Sequence, residues 1–222
     1  MAAHEKNSSN FALVKLKKFW SAEWGGKLFF CHGSKHSKGT VIMFNPSLDV
    51  EIIECTTSLK GLITRLEARI DDTKFIFVNI YAPNGLAQQM KVFEGLRSKL
   101  VKYANESIIV GGDFNCALTP MDMGGGCPIE KKGAVVQAIS NLCRILDLKD
   151  AWRYFHPKET LFTWHHKSLK THCRSDYFLV SGGIINQIQE CKILPVSFSD
   201  HAAVSFLFFQ GVRKARTSFF QI

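Results

Sequence analysis

The sequence predicts a mixed α/β domain in which stacked β-sheets are flanked by helices. Short apolar runs of strand length recur along the chain, and two other segments repeat their apolar residues at helical spacing. Their order runs from hairpin-linked strands through a helix, a buried strand and a second helix to further strands, which is the pattern of sheets covered by helices.

Lys27 to Phe30, Thr40 to Phe44 and Val50 to Ile53 are the first expected strands. Over Leu62 to Ile70, Leu62, Leu66, Ala68 and Ile70 alternate with Arg65, Glu67 and Arg69, predicting one buried and one solvated face. Asp71-Asp72 then supplies a turn into the strand Lys74 to Ile80, forming a hairpin. Phe93, Leu96, Leu100 and Tyr103 share one face of a helix, as do Val135, Ile139, Leu142 and Leu146. Ser107 to Val110 is a strand between these helices, and Leu161 to Trp164, Tyr177 to Val180, Ile188 to Ile193 and Ala203 to Phe208 complete the set.

At 222 residues, 46% hydrophobic and 21% charged, the chain is too apolar and too weakly charged for wholesale disorder, and a single domain is expected. Apolar stretches such as Ala202 to Phe209 fall far short of the roughly 18 residues needed to cross a bilayer. Met1 to Asn10 lacks the basic and apolar regions of a secretory signal, so the expected location is cytoplasmic or nuclear, not secreted, with no membrane partner. The 7 cysteines form no C-x-x-C pair and are read as reduced. A net charge of +9 favours a polyanionic partner such as nucleic acid, and no obligate protein partner is evident.

Polar residues cluster where strands end. Ile108-Ile109-Val110 runs into Gly111-Gly112-Asp113-Phe114-Asn115. The glycines allow a tight turn, and Asp113 and Asn115, two apart in an extended segment, would face the same way. A carboxylate beside an amide can move a proton and hold phosphate or water; the alternative is a turn in which both cap their own backbone. Ser199-Asp200-His201 precedes the last apolar strand and could pair a metal ligand with a phosphate-polarising imidazolium, or simply form a loop. Arg174-Ser175-Asp176-Tyr177 enters another strand, and Asn79-Ile80-Tyr81-Ala82-Pro83-Asn84 leaves one. His165 to Arg174 carries Lys167, Lys170, Arg174 and three histidines without an acid, fitting either a phosphate-binding loop or a solvated basic one.

The order of these segments resembles the endonuclease/exonuclease/phosphatase superfamily, and within it the endonuclease domain of LINE-type non-LTR retrotransposons. The matching blocks are W-G-G at Trp24, H-G-S at His32, N-I-Y-A-P-N at Asn79, G-G-D-F-N at Gly111, D-x-W-R at Asp150, H-P at His156, F-T-W at Phe162, S-D-Y-F-L-V-S at Ser175 and S-D-H at Ser199. The resemblance implies a DNase I-like β-sandwich flanked by helices and Mg²⁺-dependent hydrolysis of DNA, nicking it to leave a 3′-hydroxyl. Mn²⁺ is an alternative cofactor. By position, Asp113 activates the attacking water and Asn115 orients it. His201 contacts the scissile phosphate, Asp176 orients His201, and Asp200 serves the metal. Tyr81 stabilises the transition state, Thr163 makes a second phosphate contact, and Asn84, Lys167, Lys170 and Arg174 bind DNA. Ser175 stands where the family has an apolar residue, so some packing should be lost.

The resemblance thins at the start of the chain. Met1-Ala2-Ala3-His4 is not the family's apolar first strand, and Glu5 can only be laid over the place of its metal-binding Glu. Residues 1–19 are therefore read as a degenerate or truncated N-terminal segment, which leaves a place in the sheet unfilled. Residues 20–209 are read as the nuclease-like domain and 210–222 as a basic tail. Two alternatives stay open: an inactive retroelement-derived fragment that at most binds DNA, and an abasic-site repair nuclease of the same superfamily.

Overall fold

Alternation along the strand Ile63–Ile70 builds the first half of the molecule. Thr64, Leu66, Ala68 and Ile70 are all buried on one face. The opposite face is less solvated than the alternation predicts, because Glu67 is buried between Arg65 Nη1 at 2.5 Å and Lys74 Nζ at 3.3 Å. Pairing with both cations lets the carboxylate leave water.

The computed structural model describes residues 22–34, 37–58, 61–126, 133–166, 170–208 and 217–221. Glu5, the segment 1–19 and Lys167 lie outside the described residues. The chain divides into two compact units, residues 1–81 and 82–222. In the first, β1 (Leu28–Ser34) and β2 (Ser37–Met43) pair antiparallel, and β3 (Glu51–Ser58), β4 (Ile63–Ile70) and β5 (Thr73–Tyr81) form an antiparallel ladder. Phe44 packs edge-on to Phe77 with centroids 5.5 Å apart, and Thr40 Oγ1 lies 2.7 Å from Thr64 Oγ1, so β2 and the ladder form two layers. The β4–β5 turn has Asp71 and Asp72 at φ 44° and 65°, and Ile70 pairs with Thr73. This is the two-residue hairpin turn whose twist matches its strands.

The second unit holds β6 (Ser107–Asp113), β7 (Met123–Gly124), β8 (Leu148–Asp150), β9 (Trp164–His165), β10 (His172–Cys173), β11 (Asp176–Ser181), β12 (Ile188–Leu194), β13 (Ala203–Phe208) and β14 (Thr217–Gln221). Its helices are α1 (Leu86–Leu100), α2 (Gly133–Leu146), α3 (Ala151–Phe155) and α4 (Gly182–Ile185). β11 lies between β6 and β8, β13 lies between β12 and β14, and β10 lies between β7 and β9. Phe178 of β11 meets Phe206 of β13 edge-on at 4.9 Å, which stacks the first two of these sheets. Val92, Phe93, Leu96 and Leu100 of α1 and Val135, Ile139, Leu142 and Leu146 of α2 are buried, as their spacing predicts.

The expected strand at Leu161 to Trp164 shrinks to Trp164–His165, because Thr163 turns its hydroxyl inward to take two backbone N–H groups. Among the described residues, no helix is long and apolar enough to cross a membrane.

Candidate active site

The register of two strands creates the site. β6 and β11 are buried apolar strands that must pair to satisfy their backbone. In their antiparallel register Asp113 faces Asp176 and Gly112 faces Tyr177. Two carboxylates therefore meet at the strand ends. The glycines do not make the turn, since Gly111 and Gly112 remain paired within β6. Gly112 has φ 145°, which suits glycine alone, but the chain reverses at Asn115, at φ 47°.

That left-handed residue folds Asn115 back onto Asp113 rather than setting the two side by side on an extended strand. Its N–H donates to Asp113 Oδ1 at 2.8 Å and its Nδ2 to Asp113 Oδ2 at 3.1 Å and to the Ala82 carbonyl at 2.7 Å. Ala82 donates its own N–H to the Asp113 carbonyl. Burial and the charge of Asp176 push the Asp113 carboxyl up to about 6, against the hydrogen bond from Asn115 and the charge of His201. Such a carboxylate can accept a proton close to neutral pH.

Asp176 is the organising group. Its Oδ2 accepts from Thr163 Oγ1 at 2.7 Å and Ser175 Oγ at 3.1 Å, and lies 2.9 Å from His201 Nδ1. Nδ1 must carry the proton in that pair, which leaves Nε2 as the ring's other polar atom. The hydrogen bond and charge of Asp176 raise the His201 pKa above its ordinary value, against burial. With its side chain 25% exposed, His201 remains open to a ligand. Asp113, Asp176 and His201 bring their ligand atoms within 4.8 Å of one another, a group that could hold a metal ion. Two facing carboxylates suit a divalent cation, which would relieve the repulsion that raises Asp113.

A family model for the Endonuclease/Exonuclease/phosphatase family matches residues 4–201. The chain belongs to that family. Among curated proteins it is 28% identical over 194 residues to a Transposon TX1 uncharacterized 149 kDa protein of Xenopus laevis. That match covers 86% of this chain and only 15% of the relative. Among solved structures, the chain resembles an AP endonuclease from Archaeoglobus fulgidus (TM-score 0.65, 21% identity, 83% of this chain and 79% of that one). It also resembles a 3′ phosphatase from Neisseria bound to product DNA hairpin (0.64, 19%, 82% and 80%) and an AP endonuclease from Leishmania major (0.69, 15%, 80% and 68%). These likenesses establish the α/β nuclease fold of the family, stacked sheets flanked by helices.

Several residues that the family resemblance marks stand elsewhere than expected. Thr163 is 0% exposed and its hydroxyl is fully occupied, donating to Asp176 and accepting from the N–H groups of Ser175 and Asp176, each at 3.0 Å. It therefore positions Asp176, which the sequence did not lead one to expect. Ser175 is buried but adds a donor to Asp176, so it does more than lose packing. Arg174, expected on DNA, is 1% exposed. Its Nε donates to Asp122 Oδ1 at 2.7 Å and its Nη2 to Asp150 Oδ2 at 2.6 Å, so its guanidinium is turned inward and buttresses the start of β11. The D-x-W-R segment belongs to the same buttress: Asp150 caps α3 by accepting from the Arg153 N–H, and Arg153 also reaches Asp122. Asp122, 0% exposed, is the acid that sequence reading missed; Thr119 three residues earlier, bonded to it in a capping box, is the signal that marks it.

Asp200 stands outside the Asp113, Asp176 and His201 group, and its Oδ2 accepts from Trp164 Nε1 at 3.2 Å. The Ala202 N–H donates to the Thr163 carbonyl and the His165 N–H to the Asp200 carbonyl, which aligns the His201 segment with β9. Tyr81 ends β5 in the first unit, where its N–H donates to the Leu62 carbonyl. Asn84 and Lys170 are exposed.

Proposed function

We propose that this chain hydrolyses a phosphodiester of DNA, nicking it to leave a 3′-hydroxyl, as the endonuclease portion of a LINE-type retroelement. The observation that carries this reading is the Asp113, Asp176 and His201 constellation, with one carboxylate poised near neutral pH and an imidazole fixed by the other. The transposon protein from Xenopus laevis supports the retroelement assignment.

Water attacks phosphorus opposite the O3′ leaving atom and gives its proton to Asp113. Asn115 holds both oxygens of that carboxylate in place. His201, in the protonated form that Asp176 favours, donates from Nε2 to a non-bridging phosphate oxygen as negative charge builds there. The P–O3′ bond breaks, and the departing oxygen takes a proton from solvent to become the 3′-hydroxyl. Mg²⁺, or Mn²⁺ in its place, held at the Asp176 carboxylate, would supply further positive charge to the phosphate while Asp113 stays the proton acceptor. Lys170 and Asn84 contact the DNA backbone beside the site.

Supercoiled plasmid incubated with the protein and Mg²⁺ should convert to nicked circles that a polymerase extends without phosphatase treatment, and EDTA should abolish the conversion. Intact plasmid after prolonged incubation, or nicked ends that require phosphatase before extension, would reject the reading.

A further inference from the structure

Helix α1 carries a buried amide where its own pattern calls for an apolar residue. Gln89 precedes Val92 and Phe93 by three and four positions, so it lies on the same inward stripe as they do. It is 0% exposed, and its Oε1 is buried without a hydrogen-bond partner. Burying an amide with half its capacity unused is unfavourable, so the side chain is there for its donors.

Those donors have a defined use. Nε2 donates to the Phe114 carbonyl at 2.8 Å and to the Asn115 carbonyl at 3.1 Å. These are the consecutive carbonyls of the turn in which Asn115 takes φ 47°. Asn tolerates that region better than other non-glycine residues, but which of its allowed conformations it keeps is set by the contacts around it. The Phe114 ring, stacked at 4.0 Å on Tyr177 and 6.0 Å from Phe93, fixes the start of the turn, while the Phe114 N–H donates to Ser175. The outer carbonyls are held by Gln89. From that turn both donors of Asn115 reach Asp113.

We infer that Gln89 is a positioning residue that locks the Asn115 turn and through it holds the Asp113 carboxylate in its reactive orientation. This rests on the nuclease reading above for its catalytic consequence, but the lock itself does not. Since Oε1 has no partner, a neutral side chain that keeps an N–H donor should serve, whereas one of similar size without a donor should fail.

The test uses the full chain with Gln89→Leu, Gln89→Met and Gln89→His, whose neutral ring keeps an N–H at nearly the same reach. Nicking and amide hydrogen exchange at Asn115 are both followed, and exchange at Leu66 of β4 controls for global loosening. Leu and Met should speed exchange at Asn115 about tenfold or more without changing Leu66. They should lower kcat on the order of 10²-fold with KM for DNA within about twofold, because misplacement of a reacting group costs turnover and not binding. His should restore both to within about tenfold of the parent. Unchanged Asn115 exchange in both apolar variants would overturn the inference, as would a His variant no better than Met, or a loss confined to KM. A parent that nicks nothing, yet shows this exchange pattern, rejects the nuclease reading and leaves the lock standing.

Discussion

At the scale of single residues, the site is a short chain of hydrogen bonds ending in two groups with raised pKa values. Asp113→Asn keeps the shape and removes the proton acceptor, so it should lower nicking on the order of 10² to 10⁴-fold with DNA affinity nearly intact. Activity within a few-fold of the parent would remove Asp113 from the chemistry. Thr163→Val strands two backbone N–H groups and takes a donor from Asp176, so it should cost about 2 kcal/mol or more of stability and most of the activity. Thr163→Ser should recover both, whereas a Thr163→Val variant of unchanged stability that loses activity would point to a phosphate contact instead. Proton linkage gives a separate check. Asp113, through burial and Asp176, and His201, through Asp176, hold their protons more tightly folded than unfolded. Their contribution to stability therefore falls as pH rises, from about 4 to about 6 for Asp113 and from about 6.5 upward for His201. In EDTA the denaturant midpoint should decline across this range, and Asp113→Asn should flatten its lower part; a midpoint that climbs from pH 4.5 to 7 would contradict both shifts.

Between elements, a buried ion network decides what the basic loop can do. Burial alone would raise the Asp122 carboxyl, but the hydrogen bond and charge of Arg174, with help from Thr119 and Arg153, bring it below the ordinary value. Breaking such a pair leaves an uncompensated buried charge, so Arg174→Ala should cost about 3–5 kcal/mol, read as a lower denaturation midpoint. Lys170→Ala should leave stability alone and reduce the slope of log affinity against log salt by about 0.9, the share of one phosphate contact. An Arg174 variant of normal stability with a reduced salt slope would return that residue to the DNA surface. At the hairpin of β4 and β5, both aspartates are left-handed, so Asn-Gly at 71–72 should stabilise the fold by roughly 1 kcal/mol.

At the scale of the whole molecule, the residues read as a basic tail supply a strand. β14 pairs with β13 from Val204↔Gln221 to Phe208↔Thr217, so β13, which follows directly on His201, has a partner on each edge. β13 is almost wholly buried, and removing residues 209–222 would open one edge of it. The shortened chain should aggregate more readily and lose activity through disorder at His201. A monomeric, fully active truncation would show that β14 contributes nothing to the site.

Periodicity determined most of the longer strands, both long helices, the Asp71-Asp72 hairpin and the class of fold, because side chains at period 2 or 3.6 report directly which face is buried. The ordered polar segments also pointed to Asp113, Asn115, Asp176 and His201. Sequence could not say that Thr163 and Arg174 face inward, that Asp122 anchors them, or that Asp113 and Asp176 sit opposite one another. A polar residue at a strand end has the same local signature whether it meets solvent or a buried partner. Only the register of β6 on β11, and the packing of segments up to 52 positions apart such as Asp122 and Arg174, decided between them.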